Sequence, residues 1–105
     1  MRALKLMPDY DCFPLWEEIP DGTRNVDPAD LPLDPGLRQE LLDWADAYDA
    51  TLDPDYPPDS GFPSPEAEAE FDRQGRDLWR RLVEQLRGVA NVSYFSVRDG
   101  SQGGP

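Results

Sequence analysis

Cys12 is the strongest nucleophile that this sequence offers, because it is the only cysteine and the sequence contains no histidine. The absence of histidine excludes Ser-His-Asp catalysis, Cys-His catalysis and zinc sites with histidine ligands. The nearest charged neighbours in sequence are Asp9 and Asp11, whose negative charges would raise the pKa of the thiol and weaken it as a nucleophile. We therefore expect Cys12 to be a packed, unreactive thiol.

Carboxylates are the other groups that could do chemistry, and the chain has 22 of them. Asp53, Asp55 and Asp59 precede Gly61 in a segment that loosely fits a calcium loop. The EF-hand, however, needs alternating acids at its first ligand positions, then glycine and a final glutamate at fixed places, and the spacing here differs. Carboxylate pairs could act as acid and base, but among so many acids a pair carries no information. We predict no catalytic residue, no metal site and no cofactor.

Arginines recur late in the chain at positions 73, 76, 80, 81 and 87, the first three at helical spacing, and could form a basic stripe. Asp77 and Glu84 lie among them. Because oppositely charged side chains three or four residues apart stabilise a helix, we expect these arginines to pair within the protein rather than to bind an anion.

The acidic charge is concentrated in the first part of the chain. The formal net charge is -12, and residues 9–59 hold fifteen acids against Arg24 and Arg38, whereas residues 65–105 hold seven acids and six arginines. Such a surface repels the phosphates of nucleic acids and anionic membranes, so we expect neither as a partner. It would attract a basic protein. The alternative is that the acids only keep the protein soluble.

Aromatic side chains lie among these acids, and tyrosine and tryptophan rimmed by charge are typical of protein interfaces. The alternative is that they fasten the loops to the core. The residues that we predict to bind a partner are the aromatic anchors and the charges of this acidic part: Tyr10, Asp11, Trp16, Glu17, Glu18, Asp43, Asp46, Asp49, Asp53, Asp55 and Tyr56.

The element that must organise the fold is a helix over residues 64–88. Ser64 and Pro65 form a helix start, acids follow in the first turns as far as Asp72, and Gly88 is a left-handed stop. Apolar residues at steps of three or four give this helix one buried face. Gly75 lies in that face, which indicates either close approach by another backbone or a tolerated glycine.

A second helix begins at residues 34–35 and is predicted to run to about Leu52. Its acidic outer face extends to its C-terminal end, where the helix dipole disfavours acids, so the acids either serve a function or reflect composition. Residues 2–7 and 89–97 are predicted to be strands. Residues 17–33 contain too many prolines for a helix or a central strand. Residues 53–63 form a rigid connector.

Together these elements predict one small α/β (α+β) domain over residues 1–98. Its order is β-α-α-β, with two packed helices on a short two-stranded sheet, and residues 99–105 form a flexible tail. A free sheet edge would allow a homodimer. The single cysteine and the lack of a secretory signal or of a membrane-spanning apolar run favour the cytoplasm.

Six short segments carry a family resemblance: KLMPDYDCFPLW at 5–16, NVDP at 25–28, LPL at 31–33, WADAYDATL at 44–52, DSGF at 59–62 and YFS at 94–96. The chain resembles a family of small acidic bacterial proteins over nearly its whole length, except for the tail. The resemblance implies no catalytic residue. In size and charge such proteins are also similar to the immunity proteins of toxin–antitoxin competition systems.

These observations predict a non-enzymatic protein-binding module. In its sharpest form it is an immunity-like inhibitor whose acidic loops and first helix plug the basic active site of another protein. The alternative is a small-ligand binder or an enzyme with a pocket under the loop from Cys12 to Trp16. A structural or oligomer-forming protein without a discrete site also fits the composition.

Overall fold

The computed structural model describes residues 2–51, residues 61–96 and the backbone of residues 102–103. The chain forms these elements in order: β1 (Arg2–Leu6), β2 (Leu15–Ile19), β3 (Gly22–Val26), a 3-10 turn (Pro28–Asp30), α1 (Pro35–Asp49), α2 (Pro65–Gln85), β4 (Ala90–Phe95) and β5 (Gln102–Gly103). The fold is therefore α+β, as predicted.

The strands form one mixed sheet in the order β3-β2-β1-β4-β5. The first and fourth strands pair in parallel from Arg2↔Ala90 to Leu6↔Tyr94, and all the other pairs are antiparallel. The two strands that the sequence predicted thus lie side by side at the centre of the sheet. The two helices lie between them in the chain, which is the long connection that a parallel pair requires.

The predicted two-stranded sheet is wrong, because residues 15–26 form a β-hairpin that the prolines argued against. β2 and β3 pair along their whole lengths, and Pro20 lies in the two-residue turn between them. Pro14 precedes β2, and Pro28 begins the 3-10 turn. A proline outside the ladder removes no interstrand hydrogen bond, so the prolines here mark strand ends and do not exclude the strands.

Both helices begin where the sequence placed them. The side chain of Asp34 accepts the amide hydrogen of Leu37 at 2.8 Å, and Oγ of Ser64 accepts that of Ala67 at 3.1 Å. In each helix a proline follows the capping residue and fits the first turn without losing a hydrogen bond. These caps define the start of the two helices from the sequence alone.

The end of α1 differs from the prediction, because the helix stops at Asp49 and not near Leu52. The hydroxyl of Thr51 donates to the carbonyl oxygen of Tyr48 at 2.6 Å and satisfies one of the last free carbonyls of the helix. Gly88, with φ of 82°, takes the predicted left-handed conformation three residues beyond α2.

The core lies between the helices and one face of the sheet. Leu6 from β1, Val92 from β4, Leu41 from α1 and Leu82 from α2 are all almost completely buried in one cluster. A Cβ atom on Gly75 would lie 2.6 Å from both Cζ2 of Trp44 and the hydroxyl oxygen of Tyr94. Close approach therefore explains this glycine, but side chains approach it, and not another backbone.

Several predictions fall outside the described residues: the connector over most of residues 53–63, the calcium-like acids in it and most of the tail. Residues 102–103 form a two-residue strand on β4. The single domain over residues 1–98 and the flexible tail over residues 99–105 stay predictions. Neither of the two helices described combines the length and the apolarity needed to cross a membrane.

Candidate functional site

The loop between β1 and β2 is closed at its base, where the amide of Met7 donates to the carbonyl oxygen of Pro14 at 2.9 Å. Within the loop, Asp11 has a φ of 59°, in the left-handed region that residues other than glycine rarely occupy. Its amide donates to Oδ1 of Asp49 at 3.1 Å and ties the loop to the last turn of α1. We call residues 9–13 the acidic loop.

Tyr10 also ties the acidic loop to the C-terminal end of α1. Its ring stacks on Tyr48 with the ring centroids 4.7 Å apart, and its hydroxyl lies 3.2 Å from Oγ1 of Thr51. Tyr10 is half-buried as a result. This aromatic residue therefore fastens the loop to the helix, which is the second of the two roles that the sequence left open.

Asn25 on β3 holds the end of the acidic loop. Its Oδ1 accepts the amide hydrogen of Phe13 at 2.9 Å, and its Nδ2 donates to the carbonyl oxygens of Phe13 at 2.7 Å and Leu15 at 3.0 Å. The ring of Phe13 remains 39% exposed. The exposed Phe13 ring thus extends from a residue whose amide and carbonyl groups are both hydrogen-bonded to Asn25.

An open cleft of about 320 Å³ lies between the acidic loop and α1. It is lined by carboxylates, an aromatic ring and a few apolar side chains: Asp11, Cys12, Phe13, Asn25, Leu42, Ala45, Asp46 and Asp49. We call it the acidic cleft. It brings Asp11 next to Asp46 and Asp49, which lie 35 and 38 positions further along the sequence, and no sequence pattern links the two segments.

The electrostatics of the acidic cleft disfavour a reactive thiol. Burial raises the pKa of Cys12, and the carboxylates of Asp9, Asp11 and Asp49 raise it further. A thiol with a raised pKa holds little thiolate at neutral pH, so this cysteine is a poor nucleophile. The C-terminal end of α1 adds the negative pole of its dipole to the same region.

Some acids outside this region are neutralised by arginines within the protein, although exposed acids such as Asp21 form no ion pair among the described residues. On α2, Arg73 pairs with Glu70, Arg76 lies 3.0 Å from Asp72, and Arg81 lies 2.5 Å from Glu40 of α1. Arg80 forms no ion pair among the described residues and donates to the carbonyl oxygen of Arg76 at 3.4 Å, so the predicted internal pairing holds for part of the stripe. By contrast, among the described residues Asp11, Asp43, Asp46 and Asp49 form no ion pair.

Glu17 differs from the other predicted charges, because it is 8% exposed and held by two arginines. Nε of Arg2 lies 2.8 Å from Oε2 of Glu17, and Arg24 pairs with Oε1. The hydrogen bonds from Arg2 and then Arg24 lower the pKa of Glu17 to about 2. This carboxylate therefore offers no free charge to a partner.

The remaining predicted residues fall into separate places. Asp43 lies one helical turn from the acidic cleft, in a groove between α1 and α2 of about 300 Å³. Trp16 is half-buried in β2, where its ring nitrogen donates to the carbonyl oxygen of Met7 at 3.0 Å, and Glu18 is exposed in the same strand. Leu15 and Trp16 thus belong to a strand and not to a loop above a pocket. Asp53, Asp55 and Tyr56 lie outside the described residues.

Phe13 and Asn25 line the acidic cleft and were not among the residues predicted to bind a partner. Phe13 carried a signal, since a phenylalanine among acids in a loop has too much apolar surface to be left unused. Asn25 carried none, because its role depends on the pairing of β3 with β2. Within the described part of the chain, no three acidic or cysteine side chains are grouped in a way that could hold a metal ion.

These features describe a small α+β fold that exposes carboxylates beside an aromatic ring. In size and charge it is similar to immunity proteins. The chain belongs to the Serratia CdiI immunity protein-like family, whose model matches residues 2–97. No curated protein matches the chain. The predicted general likeness to immunity proteins is confirmed by this membership.

Proposed function

We propose that this protein is the immunity protein of a contact-dependent inhibition system, and that it inactivates a toxin by binding it, without catalysing a reaction. Membership of the CdiI immunity protein-like family supports the proposal. The raised pKa of the Cys12 thiol supports the absence of catalysis, since this thiol is the strongest nucleophile of the described residues.

The observation that carries the choice of surface is the grouping of unpaired acids at the acidic cleft. Glu17, Glu40 and Glu70 are each held by an arginine, whereas Asp11, Asp43 and Asp46 have no ion-pair partner among the described residues. Charge that the protein does not neutralise itself is available to a partner. We therefore infer that the toxin presents a basic surface to the acidic cleft and to the outer face of α1.

The same surface determines how association proceeds. Complementary charges steer two proteins together and raise the association rate, and the effect falls as salt is added. Phe13 beside the carboxylates provides apolar area that stays buried once the partner is bound. The charge that attracts a basic protein also repels nucleic acids and anionic membranes, so we do not expect those as partners.

The alternative, a small-ligand binder, is supported by the cleft itself, which has a volume of about 320 Å³. Its three carboxylates would select a cationic ligand. A thermal-shift screen of amines and guanidines separates the two proposals, because a ligand-binding cleft gives a saturable rise in melting temperature and a protein-docking surface gives none.

The proposed function is tested by capture of a partner from lysate of the source cells at low and then raised salt, with identification by mass spectrometry. The captured protein must arrest growth when it is expressed alone and must not do so when this chain is co-expressed. Growth arrest that co-expression leaves unchanged would refute the immunity function.

A matched pair of variants tests the surface. Asp11→Asn, Asp43→Asn and Asp46→Asn together remove three unpaired charges from the proposed surface, and Asp21→Asn, Glu66→Gln and Glu84→Gln remove the same charge from exposed positions elsewhere. We expect only the first set to slow association, by about tenfold or more at low salt. Equal effects of the two sets would show that total charge matters and that the surface does not.

A further inference from the structure

We propose that Asp49 and Asn25 are positioning residues, which hold the acidic loop in one conformation through the backbone of Asp11 and Phe13. Asp49 then contributes to partner binding by fixing the conformation of the acidic loop and not through its charge. We call each of these two anchoring contacts, at Asp11 and at Phe13, a hold. The statement about binding rests on the proposed function, whereas the hold itself is a property of the free protein.

The conformation of Asp11 is the first reason. A residue with a side chain avoids a φ of 59° unless something fixes it there, although aspartate tolerates the left-handed region better than most. What fixes it is the carboxylate of Asp49, whose Oδ1 accepts the Asp11 amide hydrogen at 3.1 Å. A hydrogen bond to a charged acceptor is among the stronger ones that a backbone amide makes.

The second hold is at the other end of the acidic loop. Asn25 both accepts from the amide of Phe13 and donates to its carbonyl oxygen, at 2.9 Å and 2.7 Å, so it binds this residue as a neighbouring strand would. A third bond, to the carbonyl oxygen of Leu15 at 3.0 Å, fixes the amide group of Asn25 on the start of β2. The Phe13 ring is therefore presented from a rigid base.

The hydrogen bonds with Asp49 and Asn25 fix two residues of the same short loop. Tyr10 is stacked on Tyr48, Asp11 is bonded to Asp49, and Phe13 is bonded to Asn25. A loop that is already ordered loses little conformational entropy when it binds, so more of its contact energy appears as affinity. The acidic loop is accordingly a preformed docking element.

The role of Asp49 is separable from its charge by substitution. Asparagine at this position keeps a side-chain oxygen that can accept the Asp11 amide hydrogen, and it loses the negative charge. Alanine loses both. The two variants have the same charge, and asparagine alone keeps an acceptor for the Asp11 amide hydrogen.

The partner-free test compares Asp49→Asn with Asp49→Ala by hydrogen exchange at the Asp11 amide. We expect exchange close to wild type in Asp49→Asn and about tenfold faster or more in Asp49→Ala, since only alanine lacks a side-chain acceptor for the amide hydrogen. Asn25→Ala should speed exchange at Phe13 and leave Asp11 protected. Equal exchange at Asp11 in the two Asp49 variants would overturn the proposal.

Cys12 provides a second readout, because it is the only thiol and lies between the two holds. Both Asp49 variants remove the same charge from its surroundings and shift its pKa alike, so a faster reaction with an aromatic disulfide reagent in Asp49→Ala alone reports opening of the loop. A urea midpoint for each variant shows that the domain stays folded during these measurements.

The partner arm measures the affinity of the captured toxin for the same variants. We expect Asp49→Asn to bind nearly as tightly as wild type and Asp49→Ala to bind about tenfold more weakly. Equal weakening by both variants, while only Asp49→Ala opens the loop, would mean that Asp49 acts by charge and would overturn the proposal. A wild-type chain that binds no partner would refute the proposed function. The exchange data would still show whether Asp49 and Asn25 fix the conformation of the acidic loop.

Discussion

The hydroxyl of Tyr94 on β4 donates to Oδ1 of Asp72 on α2 at 2.6 Å, so a buried carboxylate joins the centre of the sheet to the long helix. Oγ of Ser96 at 2.8 Å and Nε of Arg76 at 3.0 Å donate to the same carboxylate. Burial opposes its ionisation, but the hydrogen bonds from Tyr94, Arg76 and Ser96 outweigh burial, and the pKa of Asp72 is lowered. The charge of this acid is therefore used inside the protein.

Asp72→Ala should destabilise the domain by about 3 kcal/mol, because it removes the buried carboxylate to which the Tyr94 and Ser96 hydroxyls donate. The matched control is Glu70→Ala on the same helix. Its pair with Arg73 is exposed and screened by solvent, so its loss should change the stability of the domain little. Urea denaturation of the two variants measures both values, and equal losses would contradict the structural role of Asp72.

Gly75→Ala should also destabilise the domain, although alanine is the better helix former. The added methyl would lie 2.6 Å from Trp44 and from Tyr94. Overpacking of this kind costs about 1–3 kcal/mol, which outweighs a helix-propensity gain of about 1 kcal/mol. Thermal unfolding compared with the exposed neighbour Gln74→Ala tests this, and a higher melting temperature for Gly75→Ala would refute it.

Glu17 should make the domain acid-sensitive. Its pKa is lowered from the usual 4.5 to about 2 in the folded protein, so its ionised form stabilises the fold fully above pH 4.5. That contribution is lost as the pH falls from 4.5 toward 2. We expect wild type to lose more stability than Glu17→Gln between pH 5 and pH 3 in urea titrations. Parallel losses would show that other carboxylates dominate this range.

Asp46 lies in the last turn of α1, where the helix dipole disfavours a negative charge. Asp46→Lys should therefore stabilise the domain by about 0.5 kcal/mol and at the same time slow association with a basic partner. Asp21→Lys is the matched control, because it makes the same charge change in an exposed turn outside the helices and the acidic cleft. If association is slowed equally by both variants, the proposed surface is wrong.

The helices were predictable because their signals are local. Asp34 and Ser64 each cap a helix that the next residue, a proline, begins, and the apolar positions repeat at helical spacing. The hairpin was missed because Pro20 suggests a break when only the sequence is considered. Its pairing partner lies beyond the turn, and single-strand patterns do not reveal pairing.

The candidate site was predictable in its composition but not in its arrangement. Asp11, Asp46 and Asp49 were chosen for their charge, and the structure brings them into one cleft. Glu17 was chosen for the same reason and is instead neutralised by arginines from two other strands. Charge can be counted along a chain, whereas its neutralisation depends on which side chains fold next to it.

The parallel pair of β1 and β4 joins residues that are 88 positions apart, from Arg2↔Ala90 onward. During synthesis β1 leaves the ribosome early and lacks one of its two neighbours until β4 follows. The core that covers the sheet is completed only at that point, since Val92 and Tyr94 belong to it. A cell that relies on this chain therefore gains its folded form only after β4 has been translated, and a transcript truncated before β4 yields none.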